Sequence, residues 1–152
     1  MAFSPGAAIP ALDSAFTHVD VNSVTTSLLT DGSMDSEAKV ALPAGVFCDL
    51  SFKGQLAAIG DVGATIYIYR RDKLADGVSD ADVPTLLNKA IFVGVFSFTD
   101  SLAANTDTVI KQPAVPLNME GESELFFEND TGQTIKAGWV VTITNISYSA
   151  QA

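Results

Sequence analysis

The chain carries a long alternating run near its C-terminus, Gly138-Trp139-Val140-Val141-Thr142-Ile143-Thr144-Asn145-Ile146-Ser147-Tyr148. Its β-branched and aromatic residues predict a strand that a sheet must bury. The same period of two recurs upstream. Residues 46–56 alternate as a half-buried strand, and residues 64–70 put Ile66 and Ile68 on one face with Tyr67 and Tyr69 on the other. Residues 16–21 predict a first strand, with a continuation through 24–29, before a turn at 30–33. Residues 39–42 form a short strand closed by Pro43-Ala44-Gly45, and Gly60-Asp61-Val62-Gly63 is another interruption. The run at 90–98 is apolar on both faces where it starts, which predicts a central strand. Residues 108–111 predict a further strand, and Pro113 and Pro116 place the adjoining segment on a sheet edge. Residues 124–128 and the C-terminal run flank Asn129-Asp130-Thr131-Gly132, a hairpin-like or longer turn.

These segments amount to about eight strands at short spacing, with a single helical turn expected at 85–88. The expected fold is all-β: an antiparallel β-sandwich. Its long polar connections, above all residues 71–84 and 99–107, favour jelly-roll or related Greek-key wiring over a simple meander. Residues 1–15 read as an extended N-terminal arm. Pro5 and Pro10 oppose helix and central strand, Gly6 loosens the chain, and Asp13 is the arm's one charged side chain. Residues 16–152 then form a single domain, large enough to bury roughly 68–70% of its unfolded surface without a metal or disulfide. No internal repeat or low-complexity segment interrupts it.

Charge narrows the functional classes. The formal net charge is −10, with only 8 Lys and Arg. Such a surface repels phosphate backbones and anionic lipid, so neither nucleic acid nor membrane is expected as partner. The first ten residues lack the basic start and unbroken apolar stretch of a signal peptide, so synthesis in a cytoplasm is expected.

The side chains that enzymes use are scarce. His18 is the one histidine and sits in a strand pattern, with no Gly-x-Ser-x-Gly elbow in the chain. Cys48 is the one cysteine; it shares an alternating face with Val46, Leu50 and Phe52 and reads as a buried, inert thiol. Asp72, Asp76, Asp80 and Asp82 lack the spacing and closing Glu of a calcium loop, and Lys73 competes for them. Glu122, Glu124 and Glu128 share a strand face with Phe126 in the pattern of a solvent face, not of paired catalytic acids. Gly60-Asp61-Val62-Gly63 precedes a strand and so lacks the helix N-terminus of a phosphate loop. No catalytic residue, metal or cofactor is expected. Tyr67 and Tyr69 read first as core or subunit contacts; as an alternative, they or Trp139 could stack on sugar rings.

Residues 125–143, from Leu125-Phe126-Phe127-Glu128 through Gly132 and Gly138 to Ile143, resemble the closing hairpin of small jelly-roll virion proteins. In size and style the chain is similar to the cement or decoration proteins of tailed-bacteriophage capsids, with a proline-bearing apolar arm, an Ala/Ser/Thr/Val-rich β body and little Cys or His. That resemblance implies a non-enzymatic protein on the virion surface that binds the major capsid protein, often as a dimer or trimer, and bridges capsid subunits. The expected anchors are Phe3, Ile9 and Leu12 in the arm and the edge near Pro113 and Pro116. Two other readings share the fold: a carbohydrate-binding module, and a trimeric ligand of the tumour-necrosis-factor or complement type, the latter disfavoured by the unsuited N-terminus.

Overall fold

A computed structural model describes residues 9–11, 19–21, 29, 31–34, 40–42, 45, 47–73 and 91–149. The described residues form nine strands: β1 (Ile9–Ala11), β2 (Val19–Val21), β3 (Val40–Leu42), β4 (Phe47–Gly54), β5 (Thr65–Asp72), β6 (Ile91–Ser97), β7 (Thr108–Pro116), β8 (Ser123–Asp130) and β9 (Val140–Ser149). Among the described residues there is no helix; the turn expected at 85–88 lies outside them.

The strands form two antiparallel sheets. One has the order β1-β9-β4-β7, with β2 also pairing β9, and the other has the order β3-β8-β5-β6. From β2 to β9, consecutive strands change sheet at every step except β5 to β6. The resulting orders, β2-β9-β4-β7 against β3-β8-β5-β6, are jelly-roll wiring. The fold is therefore the expected all-β sandwich. Within the segment expected as an arm, β1 pairs antiparallel with the chain's own β9, Ile9 opposite Ser149, and β2 lies along the same edge with Val19 opposite Ile143.

The core lies between the sheets and follows the alternation. In β4, Cys48, Leu50 and Phe52 point inward, as do Ile66 and Ile68 in β5, Leu125 and Phe127 in β8, and Val141 and Ile143 in β9. Phe52, Phe96, Phe127 and Trp139 close a ring of aromatic contacts across the layers, with centroids 5.8 Å (Phe52–Phe96), 6.3 Å (Phe96–Phe127), 5.8 Å (Phe127–Trp139) and 5.9 Å (Trp139–Phe52) apart. Each such pair contributes about 0.5–1.5 kcal/mol beyond the area it buries.

Three expectations need correction. Among the described residues the apolar run at 90–98 is not a central strand: there β6 pairs with β5 alone and ends its sheet. Its two-sided apolarity has a local cause. The register shifts between Ile68 and Tyr69, leaving Val93 unpaired opposite them. Val93 and Phe96 join the core while Phe92 stays on the outer face. The buried Gly94 lets Gln112 of β7 approach, because a Cβ there would stand 3.2 Å from the Gln112 Cγ. Gln112 thus closes the flank between the two sheet edges.

Of the two readings of residues 129–132, the hairpin fails and the longer connection holds. β8 and β9 belong to opposite sheets, so the connection at 131–139 crosses the sandwich and delivers Trp139 into the core. Finally, β8 does not present a solvent face. Glu122 is exposed, but Phe126 and Glu128 are buried. Glu124 accepts a hydrogen bond from Arg71 Nε at 2.7 Å and pairs with Lys73 at 3.4 Å. A strand flanked by β3 and β5 keeps its charges by pairing them instead of solvating them.

Candidate functional site

The expected site residues fall in different places. Phe3 and Leu12 lie outside the described residues, as does His18; the backbone of Ile9 pairs with Ser149 in β1. Pro113 and Pro116 sit in β7, which is an edge strand as their chemistry requires. Between them the ladder shifts register opposite Asp49, and Ala114 takes a left-handed conformation with φ 53°. The Ala114 N–H donates to Asp49 Oδ1 at 2.8 Å. Arg70 of β5 spans the sheets here, donating from Nη1 to the Pro116 carbonyl at 2.8 Å while Nη2 donates to Asp72 Oδ2 at 3.1 Å. That pairing commits Asp72 to Arg70; Asp76, Asp80 and Asp82 lie outside the described residues.

The expected aromatic platform divides. Trp139 is fully enclosed in the core and unavailable to a ligand. Tyr67 and Tyr69 turn away from the second sheet, since Ile66 and Ile68 occupy the inner face. Tyr69 is buried and Tyr67 half-buried. Phe92, which no sequence signal marked, is 56% exposed. Its ring meets Tyr69 edge-on at 5.9 Å and Tyr67 at 6.3 Å. An outward aromatic group therefore does exist, built on Phe92 and Tyr67.

Cys48 is buried, and burial together with the neighbouring Asp49 charge pushes its thiol up to about 12. It is an inert core thiol. Among the described residues no group of three or more His, Cys, Asp or Glu is placed to hold a metal ion, and no helix is long and apolar enough to cross a membrane.

The loops gather at two ends. Residues 55–64, 98–107 and 131–139 share one end, because Gly54 pairs with Thr108 and Lys53 with Val140, and Thr65 pairs with both Ser97 and Asp130. The β1–β9 pairing at Ser149, Pro116 of β7 and residues 117–122 lie at the other. At the first end the 55–64 loop is laced to its neighbours: Ala57 N donates to Thr134 O at 2.9 Å, Gly60 N to Leu102 O at 3.0 Å, and Asp61 N to Thr131 O at 3.0 Å. Gly132, at φ 76°, fits closely against Asp61, and its N–H donates to Asp31 Oδ1 at 2.8 Å. At the same end of the sandwich, Lys53 pairs with Asp107 at 3.3 Å. The hydrogen bond from Gln55, then Lys53, hold the Asp107 carboxyl below its usual range. Ile59 and Val62 stand out from this framework at 66% and 80% exposure.

No family model matches the chain, and no curated protein matches it. Among solved structures, a chain described as "CBM4 structure and function" aligns at 11% identity with a TM-score of 0.26, over 95% of this chain and 91% of that one. Similarity at that level transfers no function.

Proposed function

We propose that the chain is a non-catalytic structural protein of a tailed-phage virion. It binds the outside of the capsid and bridges major capsid subunits, working as a homo-oligomer after synthesis in the host cytoplasm. The observation that carries this reading is the separation of two loop ends on one rigid body. The ten residues of β9 hold the ends roughly 30 Å apart. A bridging protein needs two contact surfaces at fixed separation and no chemistry between them. The aromatic ring across the core supplies the rigidity. A protein that binds only the assembled, expanded shell stabilises that shell by mass action, and several weak contacts reinforce one another through effective concentration.

The test is co-sedimentation of the purified chain with expanded shells that lack it, from the phage that encodes it. Saturable binding and a raised shell melting temperature are expected. Failure to bind at micromolar concentration overturns the reading.

One observation favours a second reading, a carbohydrate-binding module. Phe92 and Tyr67 offer an outward aromatic surface of the kind that stacks on sugar rings. A glycan array in which binding disappears with Phe92→Ala and Tyr67→Ala would select it over the capsid reading.

A further inference from the structure

The 55–64 loop places two branched apolar side chains in water on a segment whose backbone is tied to neighbouring loops. Ile59 and Val62 flank Gly60 and Asp61, whose backbone N–H groups are both tied to neighbouring loops. The loop closes on itself through the bond from Ala64 N to Asp61 O at 3.3 Å. Other turns at this end carry polar residues, Thr99-Asp100-Ser101 and Asn105-Thr106-Asp107. Exposed apolar groups on a soluble surface favour association, and fixing them in advance lowers the ordering cost of contact.

The apolar surface continues beyond the tip. A Cβ on Gly60 would lie 3.6 Å from the Leu102 Cβ. Leu102 lines a shallow hollow of about 190 Å³ with Phe98, Val109 and Ile110, edged by Ser97, Thr99 and Asp100, and Val109 is 60% exposed. Exposed carboxylates stand at this end: Asp31 and Asp61 beside Gly132, Asp130 at the end of β8, and Asp100 in the lining of the same hollow as Leu102. The nearby cations are engaged, Lys53 with Asp107 and Lys136 with Asn105 Oδ1 at 2.7 Å. An apolar knob inside an acidic rim fits an apolar socket rimmed by Lys or Arg; a second copy of this acidic end would repel it.

We infer that the Ile59–Val62 tip is a docking knob that seats in a basic-rimmed apolar socket on a capsid subunit, while the opposite end, at Pro116 of β7, engages another subunit. The inference rests on the capsid reading and assigns its second contact. It places that contact at the end of the sandwich opposite Ile9 and Pro116, which bridging requires.

The experiment measures binding of wild type, Val62→Asp and Ile59→Asp to expanded shells lacking the chain, at low and high salt, with thermal melts of each variant. Both side chains are mostly in water, so the melts should match wild type within a few degrees. Wild type should bind. Each variant should bind about tenfold more weakly, the loss of roughly one buried branched side chain, and wild-type binding should weaken as salt rises. Wild-type binding with the variants within about twofold of it overturns the docking knob and leaves the capsid reading standing. Binding indifferent to salt overturns the basic-rimmed socket. Absence of wild-type binding overturns the capsid reading, and with it this partner.

Discussion

The Asp49 carboxylate accepts a hydrogen bond from the backbone N–H of Ala114 at 2.8 Å, where the β4–β7 ladder changes register. The contact satisfies an N–H that the bulge takes out of the ladder, on an edge already blunted by Pro113 and Pro116. Asp49→Ala should destabilise the fold by about 1 kcal/mol. Ala114→Gly, which relieves a left-handed conformation at φ 53°, should stabilise it by up to about 1 kcal/mol. Urea unfolding checks both: the midpoints should move in opposite directions with unchanged slopes.

Trp139 is the chain's one tryptophan and is 1% exposed. Its emission should be blue-shifted and insensitive to iodide in the native state, then shift red on unfolding. Trp139→Ala should cost about 3–5 kcal/mol. Phe92→Ala, at a mostly exposed ring, should cost under about 1 kcal/mol.

Cys48 should resist a thiol reagent in the native protein and react fully once unfolded. Its native pKa is pushed from 9.0 up to about 12 by burial and then by Asp49. The native state therefore holds the thiol proton more tightly than the unfolded chain does. The thiol's contribution to stability is intact below pH 9, and it falls as pH rises from there towards 12. Cys48→Ala should flatten that alkaline decline in a series of unfolding curves.

Gly132→Ala should destabilise the loop end by about 1–3 kcal/mol, because the residue adopts φ 76° and a Cβ would meet the Asp61 carboxylate. Its effect on shell binding should exceed that of Gly63→Ala. Gly63 has a similar φ but open space around its missing Cβ. The comparison separates backbone strain from displacement of the 55–64 loop.

The sandwich was legible because inward positions in β4 and β5 alternate, as Cys48-Leu50-Phe52 and Ile66-Ile68 do, and Val141 and Ile143 repeat the pattern at the start of β9. The edge at Pro113 and Pro116 was legible from proline's missing N–H. The position of β6 was not, since the unpaired Val93 turns an edge strand into an apparently two-sided apolar run. Nor was the burial of Phe126 and Glu128, or the half-burial of Glu124: alternation separates two faces but does not say whether the outer one is covered. Phe92 and the Ile59–Val62 tip were invisible for a similar reason. An apolar residue reads as buried until the fold shows that its neighbours face elsewhere. In the sequence Gly60-Asp61-Val62-Gly63 is only an interruption between strands and Ile59 carries no signal of its own; the backbone bonds to Leu102 and Thr131 reveal the segment as a firm mount.

The most direct measurement is an electron cryo-microscopy reconstruction of expanded shells incubated with saturating chain. Ordered density for a β-sandwich is expected on the outer surface, touching different capsid subunits at its two ends, with Ile59 and Val62 buried at one of them. Shells without added density, or density attached through the Phe92–Tyr67 face with both loop ends free, would contradict it.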